Sequence, residues 1–441
     1  MQKINVLWIG HPDYLNGNSE AIRRHITASL SPDCFYAPES APVIVTDAQA
    51  IAAGRESLNG SFSGAVLVLL TWTECSLVTT VLKELRGLPC ILWGFPLEEV
   101  DGVTESTGSY VSAAMLSGPL KRLQLPMDVL IGSWKEKPIR QKLQAFARAA
   151  HACHTLFYAR IGLFGYTSMS IYPGTFDHVL MRWKLGPEVE QLDSYSLIRR
   201  AETIPEADIN LAWDRLQNRA AIRHNFKPEV LRQTLALYAA LTSLCQEHRW
   251  SAVNIKCQYE FSKEYRVVPC VALSLLADEG VTASCEGDIP NTVSMLLLQT
   301  LSGATVTYGD ALSHKDNVVT FSPCGFLPLS MGAPGVCVQK FMEHPGFSGV
   351  QVCGVLRPEK VTFLRIVEDV GTYHLIYGTG QGLSTSPRSG CMPALDVRLD
   401  GSIEDFCDAY AGQHYALAYG DYSAELAAFA RLMGFSAIRI H

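Results

Sequence analysis

The sequence lacks any cluster of Lys or Arg residues, and its 36 basic residues are outnumbered by 43 acidic ones. A protein that binds nucleic acid needs a basic surface to neutralise phosphates, so a formal net charge of -7 argues against that class. No pair with the CxxC or CxH spacing of a zinc site occurs, because the 13 cysteines are scattered along the chain. Zinc ribbons and thioredoxin-type redox motifs are thereby excluded.

Long uninterrupted hydrophobic runs are also missing. The longest apolar stretch, residues 65–82, carries Glu74 and divides into a strand, a turn and a helix, so we expect no membrane span. The chain begins with a short strand-like run, INVLWI at residues 4–9, which lacks the longer apolar region of a signal peptide. An odd number of cysteines without a signal peptide predicts reduced thiols and a cytoplasmic location.

Apolar runs alternate with helical segments through the first third of the chain. The pattern predicts strands at residues 6–9, 43–45, 66–70, 90–93 and 129–131, and helices at 21–30, 77–85 and 139–150. Strands separated by helices form a parallel sheet covered on both faces, which is a doubly wound α/β domain. No GxGxxG motif follows the first strand, so we do not expect this sheet to bind a dinucleotide.

A chain of 441 residues is too long for one ordinary core, and two or three domains are expected. We predict an N-terminal α/β domain at residues 1–155 and a second α/β domain at 156–335. Short strands spaced by Gly and Pro then predict a β-rich domain at 336–441. The predicted fold class is therefore α/β, with two doubly wound α/β domains followed by a smaller, barrel-like C-terminal domain.

Two acidic residues close predicted strands of the second domain. Glu286 lies in CEGDIPN at residues 285–291, and Asp310 ends YGD at residues 308–310. A buried helix between them would make the two strands parallel neighbours, so both carboxylates are expected at one carboxyl edge, where ligands bind in open α/β sheets. They suit a hard divalent metal ion or acid/base chemistry, although two solvated acids are the commoner interpretation of such a pair.

His414 is the most informative of the 12 histidines in the chain. It begins an apolar run in the predicted C-terminal domain, where a core or surface role is the commoner one. With Glu286 and Asp310 it offers two oxygens and one imidazole, a donor set that suits Mn²⁺. Asp288 adds a further carboxylate, and a metal ion would relieve the repulsion among the acids. The prediction requires the C-terminal domain to fold back onto the second domain.

Four further residues are candidates for binding a polar substrate. Lys256 and Gln258 follow a strand that is predicted to lie beside the acid-bearing strands, where an ammonium or amide group could bind sugar hydroxyls. Trp72 and His11 follow strands of the first domain, where a ligand crevice is expected. Aromatic rings stack well on the apolar faces of sugars. An ordinary structural role at a strand end stays open for each of them.

In these segments the chain resembles the L-fucose isomerase and L-arabinose isomerase superfamily. The resemblance rests on CEGDIPN with its helix and Asp310, on GFLPL at residues 325–329, and on the His-containing strand and closing helix at residues 413–432. The order of two α/β domains and a β-rich one is also similar to that family.

The resemblance implies an aldose–ketose isomerase that uses Mn²⁺ or another divalent cation, such as Mg²⁺ or Co²⁺. Carried over by position, Glu286 and Asp310 match the acidic metal ligands, which also serve as the acid/base pair, and His414 matches the imidazole ligand. The metal would stabilise an enediolate of a free sugar while a proton moves between C1 and C2. Trp72 matches an aromatic that a neighbouring subunit offers to the site. A homo-oligomer, either a trimer or a hexamer, is therefore implied.

The chain departs from the family at two positions near the site. L-Fucose isomerases have an arginine after the first strand, where this chain has His11 and Asp13. L-Arabinose isomerases have a further histidine ligand where this chain has SPCG at residues 322–325. A three-ligand scheme therefore fits better than one that includes Cys324. The substrate stays open among L-fucose-like or D-arabinose-like sugars and hexoses that are deoxygenated or modified at C6.

Two alternatives to a sugar isomerase stay open. A non-catalytic sugar-binding homologue would keep Trp72 and the cleft but would need no metal. An epimerase or a lyase would use the same enediolate chemistry with a different outcome. In every case the expected partner is a small sugar, with no nucleic acid and no membrane.

Overall fold

The structure, a computed structural model, describes residues 2–122, 127–341, 347–388, 390 and 392–441. The chain divides into two compact units. The first consists of Met1–His154 with Ala424–Phe435, and the second of Thr155–Ser423 with Ser436–His441. In the described residues, no helix has both the length and the apolar character needed to cross a membrane.

The first unit is built on a parallel sheet with helices around it. Its strands are β1 (Lys3–Ile9), β2 (Phe35–Tyr36), β3 (Val43–Ile44), β4 (Phe62–Leu69), β5 (Cys90–Gly94), β6 (Glu99–Val100), β7 (Val103–Thr104) and β8 (Met127–Ile131). The helices are α1 (Gly17–Ser29), α2 (Asp47–Asn59), α3 (Cys75–Leu85), α4 (Ser109–Lys121) and α5 (Lys137–Tyr158). The sheet order is β2-β1-β4-β5-β8, with β3 also paired to β1, and β6 and β7 form a separate two-stranded sheet. Because β1 and β4 are buried on both faces, they read as continuous apolar runs, as parallel strands between helices do.

The second unit begins with another parallel sheet. Its strands are β9 (Arg160–Phe164), β10 (Glu188–Leu192), β11 (Ala221–Ile222), β12 (Ala252–Ile255) and β13 (Thr282–Cys285). The helices are α6 (His178–Leu180), α7 (Ser194–Glu202), α8 (Glu206–Gln217), α9 (Pro228–His248), α10 (Cys270–Asp278) and α11 (Ile289–Ser302). The sheet order is β10-β9-β12-β13. Helix α11 is buried on nearly every side, because it also packs against barrel strands.

A closed antiparallel barrel completes the second unit. Its remaining elements are β14 (Thr307–Lys315), β15 (Val318–Ser322), β16 (Cys337–Lys340), β17 (Val350–Cys353), β18 (Lys360–Asp369), β19 (Thr372–Leu383), β20 (Leu395–Leu399), α12 (Ile403–Asp408), β21 (His414–Tyr419) and β22 (Ser436–Arg439). Helix α13 (Ser423–Met433), between β21 and β22 in the chain, belongs to the first unit except for Ser423. The barrel order is β18-β21-β14-β15-β20-β19, and β19 pairs back to β18. β22 runs parallel to β19, and β16 and β17 form a small sheet with β11. The predicted fold class, α/β with a barrel-like C-terminal part, is confirmed.

The two acid-bearing strands are not parallel neighbours, so that prediction is wrong. β13 is the edge of the parallel sheet, whereas β14 pairs antiparallel with both β15 and β21 in the barrel. The reason is local, since the two-residue connection at Asp316 and Asn317 closes a β14–β15 hairpin. Asp310 consequently lies inside its strand. The barrel takes strands from residues before 336, and the division into three domains stays a prediction.

Candidate active site

Glu286 is presented by a strained turn at the end of β13. Its backbone has a φ of 70°, a left-handed conformation that costs a non-glycine residue about 1–3 kcal/mol. Three contacts stabilise the turn: Glu286 N donates to Ile255 O at 2.9 Å, Ser168 N donates to Glu286 O at 2.9 Å, and Gly287 N donates to Asn254 Oδ1 at 2.7 Å. The turn thereby fixes the backbone of Glu286 at the end of β13.

Asp288 follows as the N-cap of α11, where its Oδ1 accepts from Asn291 N at 2.9 Å. Its other oxygen, Oδ2, lies 2.8 Å from Nδ1 of His414 and 3.1 Å from Nη1 of Arg365. Burial opposes the ionisation of Asp288, but the charge of Arg365 and the hydrogen bond from His414 hold its pKa below the ordinary value. Asp288 therefore joins the helix cap to the histidine of the barrel.

His414 lies between the acids, fully buried at the start of β21. Its Nε2 is 3.3 Å from Oε2 of Glu286 and 3.4 Å from Oδ1 of Asp310. Within the described residues this Nε2 forms no hydrogen bond of regular geometry. Burial alone would lower the pKa of His414, but Asp288 and Glu286 outweigh it and raise the pKa well above the ordinary value. The predicted trio does converge on one nitrogen.

The two predicted acids have different surroundings. Asp310 keeps 28% of its side chain exposed, whereas Glu286 keeps 9%. Burial raises the pKa of Asp310 to about 6, against the lowering effect of His414 and with a raising effect of the Glu286 charge. Burial also opposes the ionisation of Glu286, but the facing His414, with Cys324 and Gln258, holds its pKa below the ordinary value.

The two candidates after β12 have different partners. Gln258 is 2% exposed, its side chain is close enough to Glu286 to help lower the pKa of that acid, and its Oε1 has no partner among the described residues. Lys256 is also 2% exposed, but its Nζ lies 2.6 Å from both carboxylate oxygens of Glu260 and 3.1 Å from Tyr166 Oη. The structure thus brings Gln258 to the acid, whereas the ammonium of Lys256 is paired with Glu260.

Trp72 and His11 lie together in the first unit, after β4 and β1. Their ring centroids are 5.6 Å apart, and Tyr14 is 5.4 Å from His11 and 5.8 Å from Trp72. The backbone N–H of His11 donates to Thr71 Oγ1 at 2.9 Å, which fixes the two loops relative to each other. Tyr14 therefore joins the two predicted residues in an aromatic cluster at the carboxyl edge of the first sheet.

Arg365 is the residue of the cluster that sequence reasoning missed. It is 1% exposed in the middle of β18 and donates to Asp288, to the carbonyl of His414 at 2.8 Å and to the carbonyl of Pro173 at 2.7 Å. A buried arginine requires partners of this kind. The signal was present, because this is the single charge within the apolar run VTFLRIV at residues 361–367.

Glu286, Asp310 and His414 fit a divalent cation. Two carboxylates and an imidazole are oxygen and nitrogen donors of the right type for Mn²⁺. The Nδ1 of His414 is bound to Asp288, which leaves Nε2 as the ligand atom, as in most histidine metal sites. Among the described residues, a second group has one ligand atom from each member within 4.8 Å of the others: Cys257, Cys285 and Glu286. For a hard cation we prefer Glu286, Asp310 and His414, because thiols are soft ligands.

A parallel sheet that meets a barrel, with two carboxylates and a buried imidazole at the junction, is the arrangement that the resemblance to the L-fucose isomerase and L-arabinose isomerase superfamily implied. Known proteins point to the same class, although no protein-family model matches the chain. The sulfoquinovose isomerase of Priestia megaterium is 23% identical over 444 residues, which cover 98% of each chain. That of Alkalicoccus urumqiensis is 23% identical over 360 residues, 80% of this chain and 81% of the relative.

A shorter similarity extends to L-arabinose isomerases. The enzyme of Thermotoga maritima is 24% identical over 168 residues, 38% of this chain and 34% of that protein. Together these similarities confirm the resemblance to the L-fucose isomerase and L-arabinose isomerase superfamily. They class the chain with the aldose–ketose isomerases, which are intramolecular oxidoreductases.

Proposed function

We propose that this chain is a divalent-metal-dependent aldose–ketose isomerase that acts on a free hexose modified at C6. The observation that carries the proposal is the buried Nε2 of His414, 3.3 Å from Glu286 and 3.4 Å from Asp310. Among the described residues this nitrogen has no regular hydrogen bond, which leaves its lone pair available to a ligand once the ring is neutral. A nitrogen of this kind facing two carboxylates has the donor chemistry of a divalent cation site.

Glu286, Asp310 and His414 are the residues that would hold the ion, with Mn²⁺ as the first candidate and Mg²⁺ or Co²⁺ as others. When bound, such an ion supplies positive charge that stabilises the negative charge developing on the substrate oxygens during proton transfer. Asp288 accepts the Nδ1 hydrogen of His414 and so keeps the ring orientation fixed. Arg365 in turn holds Asp288.

Asp310 and Glu286 are assigned different proton-transfer roles, because their access to a substrate differs. Asp310 keeps 28% of its side chain exposed, whereas Glu286 keeps 9%. Burial raises the pKa of Asp310 to about 6 in the absence of an ion, and a bound cation would lower it. We therefore assign to Asp310 the proton that moves between C1 and C2. Glu286 then handles the proton that moves between the two substrate oxygens.

The preference for a hexose modified at C6 follows from the extent of the similarities. Similarity to the sulfoquinovose isomerase of Priestia megaterium spans 98% of this chain, whereas similarity to the L-arabinose isomerase of Thermotoga maritima spans 38%. Sulfoquinovose is a hexose with an anionic sulfonate at C6. It is therefore the first substrate to test, with L-fucose and D-arabinose for comparison.

The test is product analysis by NMR in D₂O. Protein stripped of metal with a chelator is supplied with Mn²⁺ and one sugar at a time. We expect a ketose that carries deuterium beside the carbonyl, formed only when a divalent ion is present. Glu286→Gln and Asp310→Asn should each lower the rate by about 10²–10⁴-fold. Glu404→Gln, at an exposed carboxylate of α12, is the matched control and should keep full activity.

Three results would contradict the proposal. Full activity of Glu286→Gln or Asp310→Asn would remove the site assignment. Equal rates with and without a divalent ion would remove the metal. Binding of the sugars without conversion would identify a sugar-binding protein, and an epimer or a cleaved product would identify the other enediolate chemistries.

We also propose that the chain forms a homo-oligomer, a trimer or hexamer, in which Trp72 and His11 contact the sugar in a neighbouring subunit's site. The support is the aromatic cluster of these two residues with Tyr14, which presents ring faces at a sheet edge. The test mixes two variants that we expect to be inactive alone, Trp72→Ala and Glu286→Gln, after dissociation and reassembly. Recovery of activity in the mixture is expected for a shared site, and its absence would contradict the proposal.

A further inference from the structure

Three thiols gather around the carboxylate of Glu286. Cys285 ends β13, and Cys257 follows β12, the neighbouring strand in the sheet. One donor atom each from Cys257, Cys285 and Glu286 lie within 4.8 Å of one another, and all three residues are buried. Cys324, after β15, places its Sγ 3.6 Å from Oε1 of Glu286.

The two oxygens of Glu286 therefore have neighbours of different chemistry. Oε2 is 3.3 Å from Nε2 of His414, whereas Oε1 lies next to the sulfur of Cys324. Oε2 thus lies among nitrogen and oxygen donors, which suit hard cations. Cys324 beside Oε1, with Cys257 and Cys285 close to the same carboxylate, supplies sulfur donors, which suit soft or borderline cations such as Zn²⁺ and Cd²⁺.

We propose that Cys257, Cys285 and Glu286 form a second cation site for a thiophilic divalent ion of the Zn²⁺ or Cd²⁺ class, with Cys324 as a fourth donor. On binding, the S–H bonds of Cys257 and Cys285 break, two metal–sulfur bonds form, and two protons pass to solvent without any change of oxidation state. Coordination by Cys324 breaks its S–H bond and releases a third proton in the same way. The tetrahedral preference of these ions is then satisfied by four protein donors, or by three and a water molecule. Each thiol could instead serve only as a small apolar side chain of the core. The experiment below distinguishes metal binding from this packing role.

The second site has a functional consequence, which rests on the proposed function. Because Glu286 belongs to both sites, an ion held by the thiols draws this carboxylate away from His414 and Asp310. A thiophilic ion should therefore inhibit the isomerase, and the two thiols make inhibition specific to soft metals. Ca²⁺ or Mg²⁺ at the same concentration should not inhibit in this way, because thiolates bind hard cations poorly.

The test titrates the full-length, reduced and metal-free protein with Cd²⁺ and follows the ultraviolet absorption of cadmium–thiolate bonds. We expect a saturable band at one equivalent. Cys257→Ser and Cys285→Ser should each weaken Cd²⁺ binding by about 100-fold and diminish the band. Cys245→Ser, at a buried thiol of α9, is the matched control and should bind like the unaltered protein.

The unaltered protein alone can overturn the proposal, since absence of a cadmium–thiolate band means that there is no thiol site. A band that survives both Cys257→Ser and Cys285→Ser would place the ion elsewhere and equally overturn it. The inhibition is tested separately, by Cd²⁺ titration of the Mn²⁺-supported isomerase and of its Cys257→Ser variant. If no isomerase activity exists, the binding measurement still decides the second site, so failure of the two proposals is distinguishable.

Discussion

Asp310 on β14 and His414 on β21 lie directly opposite each other in an antiparallel pair of barrel strands. Glu286 reaches the same imidazole from outside the barrel, from the turn that follows β13. The candidate site therefore belongs to both sheets of the second unit. Neither sheet carries the complete donor set by itself.

Asp288→Asn should weaken Mn²⁺ binding although Asp288 is not one of the proposed ligands. The amide has one acceptor oxygen where Asp288 uses two, Oδ1 for Asn291 N and Oδ2 for His414 Nδ1 and Arg365. It also removes the charge that makes the imidazole a better ligand and that balances Arg365. The expected loss of affinity is about 10–100-fold, measured by isothermal titration calorimetry. Asp278→Asn is the control, because that buried carboxylate instead accepts hydrogen bonds from Leu329 and Ser330. Unchanged affinity in Asp288→Asn would contradict this role.

Arg365 and Asp288 should be strongly coupled in stability. Arg365→Met leaves a buried carboxylate without its cation, and we expect a loss of about 3–5 kcal/mol in the free energy of unfolding. The double variant with Asp288→Asn should lose less than the sum of the two single variants, with a coupling of about 1–3 kcal/mol. Urea unfolding of the four proteins measures this cycle. Additive losses would show that the pair contributes nothing beyond its separate hydrogen bonds.

Gly287→Ala should distort the turn that presents Glu286. Gly287 has a φ of 70°, and a Cβ there would lie 2.3 Å from Tyr166 O and 2.6 Å from Thr167 Cα. Gly303→Ala is a matched control, because Gly303 has a φ of 64° but no atom within 4 Å of an added Cβ. Both substitutions place an alanine at a positive φ, which destabilises the folded state at either position. The steric clash at position 287 should destabilise that variant by about 1–3 kcal/mol more. Equal melting temperatures of the two variants would contradict the expected clash.

Asp396 should make the barrel sensitive to acid. Burial opposes the ionisation of Asp396, but hydrogen bonds from Thr320 at 2.6 Å, from Thr385 at 2.8 Å and from Arg388 hold its pKa below the ordinary value. The folded state therefore favours the carboxylate, so its stabilisation is present above the unfolded pKa of about 4 and is lost as the pH falls through the lower folded value.

Asp396→Asn tests this dependence. At pH 7 it should lose about 1–3 kcal/mol of unfolding free energy relative to the unaltered protein, and the difference should shrink towards pH 3. Urea unfolding at the two pH values measures both differences. Asp369→Asn, at the exposed end of β18, is the control and should change little at either pH. A difference that stays constant with pH would assign the loss to packing and not to charge.

Those elements of the fold whose sequence pattern is local could be predicted. The first parallel sheet and the buried helix α11 follow from runs of adjacent apolar residues. The pairing of β14 could not be predicted from its apolar run, because a strand's partner depends on distant residues. The Asp316-Asn317 turn was the local signal for an antiparallel hairpin.

The site followed the same rule. Glu286, Asp310 and His414 were found because each ends or begins a recognisable run. Their mutual distances depend on Arg365 and on Asp288, whose roles appear only when β18 and the cap of α11 meet. The thiols of Cys257 and Cys285 were likewise hidden, since they are far apart in sequence and lie on neighbouring strands.

The hydrogen bonds of Arg365 determine how late in synthesis of the chain the candidate site can assemble. Its guanidinium joins Pro173, Asp288 and two carbonyls of the β21 segment, so these bonds form only after the chain has been synthesised past His414. A nascent chain carries Glu286 and Asp310 long before it carries their histidine. Capture of the proposed ion by the complete set would thus come late in biogenesis, together with closure of the barrel.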